Sequence, residues 1–262
     1  METVHYTVDI YNWWVILLLV GAGFLVGIIN TFAGSGSAIT YTVYMMLGLP
    51  ATLANGTLRI TVLLQTLAAS ITFFRKNVLE LRKALLLGLP TLFGSVLGAE
   101  IAVHIDEHVF QTILGFAMLL MLFFVLRKPE RWIEGKASLV KPKPTFLQVI
   151  IFFLIGVYGG FLHIGVGIFI LAGLVLNAGY DLVKANAIKV FIVLMYNPFA
   201  LLIYILNGQV DFVLGGITAI GGLMGGWVAS HLAVRKGAGF ARWILVVVLI
   251  FFIGKLFGLY HF

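Results

Sequence analysis

Apolar runs of about 20 residues, the length an α-helix needs to cross the hydrocarbon core of a bilayer, recur from Trp13 to Phe262. They are long and rich in Leu, Ile, Val, Ala and Phe, unlike the alternating segments of about ten residues that build an outer-membrane barrel. Only 10% of the side chains are charged and 61% are hydrophobic, against the roughly one quarter charged that is usual in soluble domains. The chain therefore reads as an all-α polytopic membrane protein, with the lipid bilayer as its main surroundings and no room for a soluble catalytic domain.

Other functions are excluded by what the chain lacks. There is no Cys, so disulfides, thiolate metal sites and cysteine relays fall away, and no metal or cofactor is expected. The first apolar segment has no basic flank and no cleavage site, so it reads as a retained membrane helix rather than a secretory leader. The net charge of +7 does not call for nucleic acid, because most of the basic residues mark one face of the membrane. Oligomeric state is left open.

One ungapped register aligns the two halves. Gly34 pairs with Gly165 (165 − 34 = 131), Gly36 with Gly167, Gly48 with Gly179, Ala54-Asn55 with Ala185-Asn186, and Gly94 with Gly225. Lys and Arg in short loops mark the cytoplasmic side. Arg75, Lys76, Arg82 and Lys83 crowd one loop, Arg127, Lys128, Arg131, Lys136, Lys141 and Lys143 a linker, and Arg235, Lys236 and Arg242 a third. The acidic loop His104 to His108 and the turn Asn207 to Asp211 have no Lys or Arg and belong outside. Under the register, basic loop 75–83 falls on the non-basic turn, and the acidic loop falls on Arg235 to Gly239. That inversion is expected of two inverted-topology repeats around a midplane site.

The expected layout is a first repeat over 1–126, a basic cytoplasmic linker over 127–144 and a second repeat over 145–262, in the inner membrane with both termini outside. Helices are predicted at 13–33, 37–48, 52–74, 84–103 and 109–126, then at 146–164, 168–178, 182–206, 212–234 and 240–259. The second segment of each half is too short to span comfortably. Each half is thus a broken or re-entrant helix pair plus three spanning helices, giving 8–10 membrane segments. Asn197-Pro198 is expected to interrupt its helix as a hinge or kink, and Gly94, Gly98, Gly225 and Gly226 suit close helix contacts.

Four cations lie outside the basic loops: Arg59, Lys184, Lys189 and Lys255. Lys184 and Lys255 sit near helix ends, whereas Arg59 and Lys189 are each seven residues into a helix, about 10 Å deep. A charge at that depth costs several kcal/mol and ordinarily faces a cavity or a partner. Arg59 follows Asn55 by four residues and Lys189 follows Asn186 by three, so each shares a helix face with an amide. No acidic residue is placed to neutralise either one, and the pair reads as an anion site.

The helix breaks fit the same reading. The stretch INTFAGSGSAIT puts Asn30, Thr31, Gly34, Ser35, Gly36 and Ser37 into an apolar run, and Phe161 to Phe169 is its counterpart with His163, Gly165 and Gly167. Helices restarting after such breaks present free N–H groups and a positive dipole end toward the gap, the arrangement by which discontinuous helices bind anionic groups. His163 can donate to an anion or carry a coupling proton, and Glu100, near the outer loop, is a second, weaker proton carrier. A passive anion channel is the nearest alternative. An intramembrane serine hydrolase built on Ser35 and His163 is the more remote one.

The stretches GIINTFAGSGSAITYTVYMMLGLPATLANGTLRI and GGFLHIGVGIFILAGLVLNAGYDLVKANAIKV resemble the TauE/SafE family of membrane transporters, the sulfite exporter family. The shared elements are a Gly-rich break, a Gly-x-Pro or Gly-x-Asp turn, and the helix starts LPATLANGT and DLVKANAIK. The resemblance implies movement of sulfite, organosulfonates or related small anions, with proton coupling as the usual assumption. This chain departs from the pattern at Ser37-Ala38-Ile39-Thr40, where glycines are common, and at Ile188-Lys189, where a small residue followed by Thr is more usual.

Overall fold

The structure is a computed structural model that describes residues 6, 7, 9–126 and 143–256, with side chains described up to 116, from 143 to 237 and at 240. Nearly all of the linker expected at 127–144, both chain ends and the side chains of Arg242 and Lys255 lie outside that description. The elements are α1 (Trp13–Phe32), α2 (Ser37–Met46), α3 (Ala51–Arg75), α4 (Leu81–His104), α5 (Glu107–Leu126), α6 (Phe146–Phe161), α7 (Val166–Ala172), α8 (Leu182–Leu206) and α9 (Phe212–Leu256). No strand occurs among the described residues. One departure from the expected layout concerns continuity: α7 loosens into a π-helical turn at Gly173–Asn177. The division of α9 at Gly237, whose φ of 73° and ψ of −169° are not helical, falls between the segments expected at 212–234 and 240–259.

Five described helical stretches are long and apolar enough to cross a bilayer: α1, α3, α4, α8 and the Phe212–Gly237 limb of α9. This is a multi-pass membrane protein. α8 runs unbroken through Pro198, correcting the expected interruption. Proline removes one N–H and crowds the preceding turn, yet Asn197 is fully buried and its Nδ2 donates to Arg59 O at 2.9 Å, which ties that stretch to α3.

Hydrogen bonds between connections show which ends lie together. At one end, Thr7 N donates to Leu47 O at 3.1 Å and the Tyr6 hydroxyl to Asp211. There too Glu107 accepts from Ala51 N at 2.5 Å and Thr52 N at 3.2 Å. At the other, Gln148 Nε2 donates to Asn177 O at 3.2 Å and Lys184 Nζ lies 3.4 Å from Glu80. Thus α1 and α2 form one hairpin, and α6 and α7 with its π turn form another, each returning to the end from which it started. α3 begins after Pro50 with no capping side chain of its own. Glu107 supplies the cap from across the molecule, an anion at the positive end of a helix. Glu107→Ala is expected to cost about 1–2 kcal/mol of stability, read as a lower thermal unfolding midpoint in detergent, with Glu107→Gln falling between because its amide oxygen still accepts.

Helix pairing crosses between the halves: α1 packs on α9 and α6 on α4, α3 also packs on α9 and α8 on α4, and α3 and α8 meet each other. Small residues let the backbones approach, as in membrane bundles where burial in lipid gives no hydrophobic drive. A Cβ on Gly94 would fall 2.1 Å from Phe153 O, and one on Gly98 1.9 Å from Val157 O. On the other side of the bundle, a Cβ on Gly225 would fall 2.1 Å from Phe24 O and one on Gly226 2.5 Å from Gln65 O. These four glycines are helix contacts.

The backbone also repeats along the chain. Left-handed residues occur at Gly34, Gly48 and Asn77 and again at Gly165, Gly179 and Gly208, the spacing of the register read from the sequence. α3 and α8 each have 25 residues and begin and end at matching positions.

Candidate functional site

The two hairpins meet tip to tip. Gly34 takes a φ of 77° at the first tip and Gly165 a φ of 73° at the second, left-handed values that glycine adopts without strain. Gly34 also lies against Gly167, where a Cβ on either would fall 2.4 Å from the other's Cα. The crossing is therefore backbone on backbone, and no side chain fits between.

A break inside a membrane must have its polar backbone satisfied by protein, and the two breaks achieve this differently. In the first, Asn30 spans its own gap: Oδ1 accepts from Ser37 N at 3.2 Å and Nδ2 donates to Ser37 Oγ at 3.0 Å. Thr31 Oγ1 returns to Gly27 O at 2.8 Å. In the second, the partners come from elsewhere. Asn55 of α3 donates to Phe161 O at 2.9 Å and accepts from His163 N at 3.3 Å, while the Tyr204 hydroxyl of α8 donates toward Phe161 O at 3.0 Å. Borrowed amide and phenol groups explain how the second break manages with so few polar residues of its own.

The sequence leaves the two deep cations without acidic partners; the structure gives each a pair of backbone carbonyls, and Lys189 also the Asn186 amide oxygen. Arg59, fully buried, directs Nη2 to Gly160 O at 2.5 Å and Gly159 O at 3.1 Å, at the C-terminal end of α6. Lys189, 2% exposed, donates from Nζ to Asn30 O and Thr31 O at 2.9 Å each and to Asn186 Oδ1 at 2.8 Å, at the C-terminal end of α1. Each cation thus holds the interrupted helix of the other half, at the end that carries unspent carbonyls and partial negative charge. Backbone acceptors carry no residue identity, which is why sequence could not supply these partners.

The cations are not equally spent. An ammonium has three hydrogens, and Lys189 has three acceptors. A guanidinium has five N–H donors, and Arg59 Nε and Nη1 are buried with no hydrogen-bond partner. Its plane lies over the Tyr204 ring, 4.6 Å from the centroid.

Beside the crossing lies a cavity of about 20 Å³ whose wall includes Asn30, Thr31, Gly34, His163, Gly167 and Lys189, room for about one water. Gln65 and Thr66 of α3 also line it, and the Gln65 side-chain oxygen is buried without a partner. Sequence reading missed these two, though Asn55, Arg59 and Thr66 fall four and eleven residues along one helical stripe, a signal that was available. Tyr196, whose hydroxyl lies 3.3 Å from His163 Nδ1, and Tyr204, both on α8, were missed as well.

Among the other expected residues, Asn55 accepts from His163 N, Asn186 accepts from Lys189 and Arg59 donates to the end of α6, but none of these, nor Ser35, Gly36, Ser37 or Gly165, is in the cavity wall. The first two N–H groups of the helix after Gly36 are partly taken, since Asn30 already accepts from Ser37 N. Ser35 Oγ has no hydrogen bond, so no Ser35–His163 pair exists. Glu100 is exposed on α4, 3.5 Å from His104, and forms no part of the cavity wall.

Crossed helix breaks, buried cations and a small cavity beside them within a bundle of spanning helices suit an α-helical membrane protein of the transporter class. The profile of the Sulfite exporter TauE/SafE family matches residues 19–256, and the chain belongs to that family. It is similar to a Sinorhizobium protein named "Probable membrane transporter protein ORF9", with 30% identity over 87% of this chain and 86% of that one. A "Probable membrane transporter protein" of Haemophilus influenzae is 27% identical over 94% of this chain and 96% of its own length. The Escherichia coli "Probable membrane transporter protein YfcA" is 28% identical over 88% and 87%. No solved structure matches the chain.

Proposed function

We propose that this membrane transporter moves a small anion, of the sulfur oxyanion or organosulfonate class, by alternating access around the crossing of the two hairpins. The observation that carries the reading is Arg59: a wholly buried guanidinium with Nε and Nη1 unpartnered. Buried donors left open are costly unless something arrives to use them, and a guanidinium edge matches two oxygens of an oxyanion side by side. The family's name favours sulfur chemistry.

The described cavity holds about one water, so an oxyanion enters only when the hairpins part. The matched left-handed residues and the crossed helix pairing support two inverted repeats as the moving bodies. The basic loop at 75–83 belongs to the cytoplasmic face of the inner membrane and the end bearing Glu107 and Asp211 to the outer face, by the distribution of Lys and Arg. His163, in the cavity wall and beside Tyr196, is the group best placed to carry a coupled proton.

The test is a thermal-unfolding series in detergent with sulfite, sulfate, thiosulfate, taurine and carboxylates at constant cation. A binding anion is expected to raise the midpoint by about 5 °C when saturating. Silence across the panel overturns the anion reading. In liposomes, accumulation driven by a pH gradient is the expected result, and unitary currents would make the protein a channel instead.

A further inference from the structure

Of the two deep cations among the described residues, Lys189 has all its hydrogens used, and its geometry differs in kind from that of Arg59. Three oxygens converge on a single point at 2.8–2.9 Å: two backbone carbonyls at the end of α1 and the amide oxygen of Asn186. None is a carboxylate, and no Asp or Glu lines the adjoining cavity among the described residues. Capping a helix end does not require a charge; a neutral donor would do so at far smaller desolvation cost. In discontinuous membrane helices, such C-terminal carbonyls are where a co-transported cation is coordinated. We infer that the Lys189 ammonium is a tethered occupant of a monovalent-cation site at the first helix break, so that the transporter carries its own cation and needs no sodium or potassium from solution.

The site's dimensions indicate which free ion it would accept. Oxygens set at ammonium distance suit ammonium, an alkylammonium or potassium better than the smaller sodium. The neighbouring cavity, walled by Lys189, Asn30 and Thr31, gives the space through which a short alkylammonium reaches the same oxygens once the lysine stem is gone. Besides Lys189, His163 is the titratable group in that cavity wall.

The inference stands apart from the anion reading, because it concerns cations at constant anion and its readout needs no transported substrate. Thermal unfolding of the parent is expected to be the same in choline, sodium, potassium and methylammonium chloride. Lys189→Ala is expected to melt well below the parent in choline and to recover by about 5 °C, with saturation, in methylammonium or potassium. Lys189→Met, which fills the stem space with an uncharged group, should melt lower than the parent and show no cation response. A Lys189→Ala protein that melts alike in every chloride overturns the inference, as does recovery in choline equal to that in methylammonium. Should Lys189→Ala fail to fold, the parent still decides: an unfolding midpoint that rises with saturation in sodium or potassium chloride relative to choline chloride overturns the tethered-cation role, and equal midpoints in all three support it.

Discussion

Arg59→Ala is expected to lower the free energy of unfolding by about 2–4 kcal/mol, since hydrogen bonds from a charged donor contribute roughly 1.5–3 kcal/mol each and the two carbonyls share one nitrogen. The Gly159 and Gly160 carbonyls would be left buried with only the Tyr204 hydroxyl, 3.3 Å from Gly160 O, for company. No anion should then shift the melting temperature. Arg59→Lys separates the two roles. A lysine ammonium reaching the same carbonyls recovers most of the stability, but it lacks the planar edge that Nε and Nη1 present, so the anion response stays absent. If Arg59→Lys responds to the anion panel as the parent does, the anion does not bind on the guanidinium.

Gly34→Ala is expected to be among the most damaging single methyl additions in the chain. The new Cβ would lie 2.4 Å from Gly167 Cα and 2.5 Å from its carbonyl carbon, so the two hairpin tips must separate. Overpacking of this kind costs about 1–3 kcal/mol, and the left-handed φ of 77° adds about 1–2 kcal/mol for a residue with a Cβ. Gly208→Ala is the control: its φ of 68° carries similar strain, but nothing lies within 4 Å of the added methyl. Gly167→Ala has the clash without the left-handed strain and should fall between the two. Thermal unfolding in detergent, with the yield of monodisperse protein, ranks the three. Equal losses at Gly34 and Gly208 would mean that the tips do not press on each other.

Much of the fold was readable because a bilayer constrains sequence strongly. The starts and ends of α3 and α8 emerge within one residue of where hydropathy and turn residues put them, and the breaks appear at the Gly-rich stretches. Continuity was harder to read. Pro198 suggests an interruption from its missing N–H, but the helix persists because the amide of Asn197 is anchored to the Arg59 carbonyl, a contact that local sequence cannot show. The shortening of α7 into a π turn at Gly173 leaves no clear mark on an apolar run.

The candidate site divides in the same way. Asn30, Thr31, His163 and Lys189 stood out as polar residues in apolar surroundings and do line the cavity. Gln65 and Thr66 stood out less, since α3 carries many threonines, and although Thr66 shares a stripe with Asn55 and Arg59, which of the many meet the other helices is settled by the packing of α8 and α9 against α3. Sequence by itself determined that this chain is a helical membrane protein with two breaks and two costly deep charges, because length, hydropathy and isolated polarity are properties of residues. The tertiary structure alone decided which backbone groups those charges touch. Their partners are carbonyls 100 residues away for Arg59 and 159 away for Lys189, and a carbonyl is the same group in every residue, so only its position in space can select it.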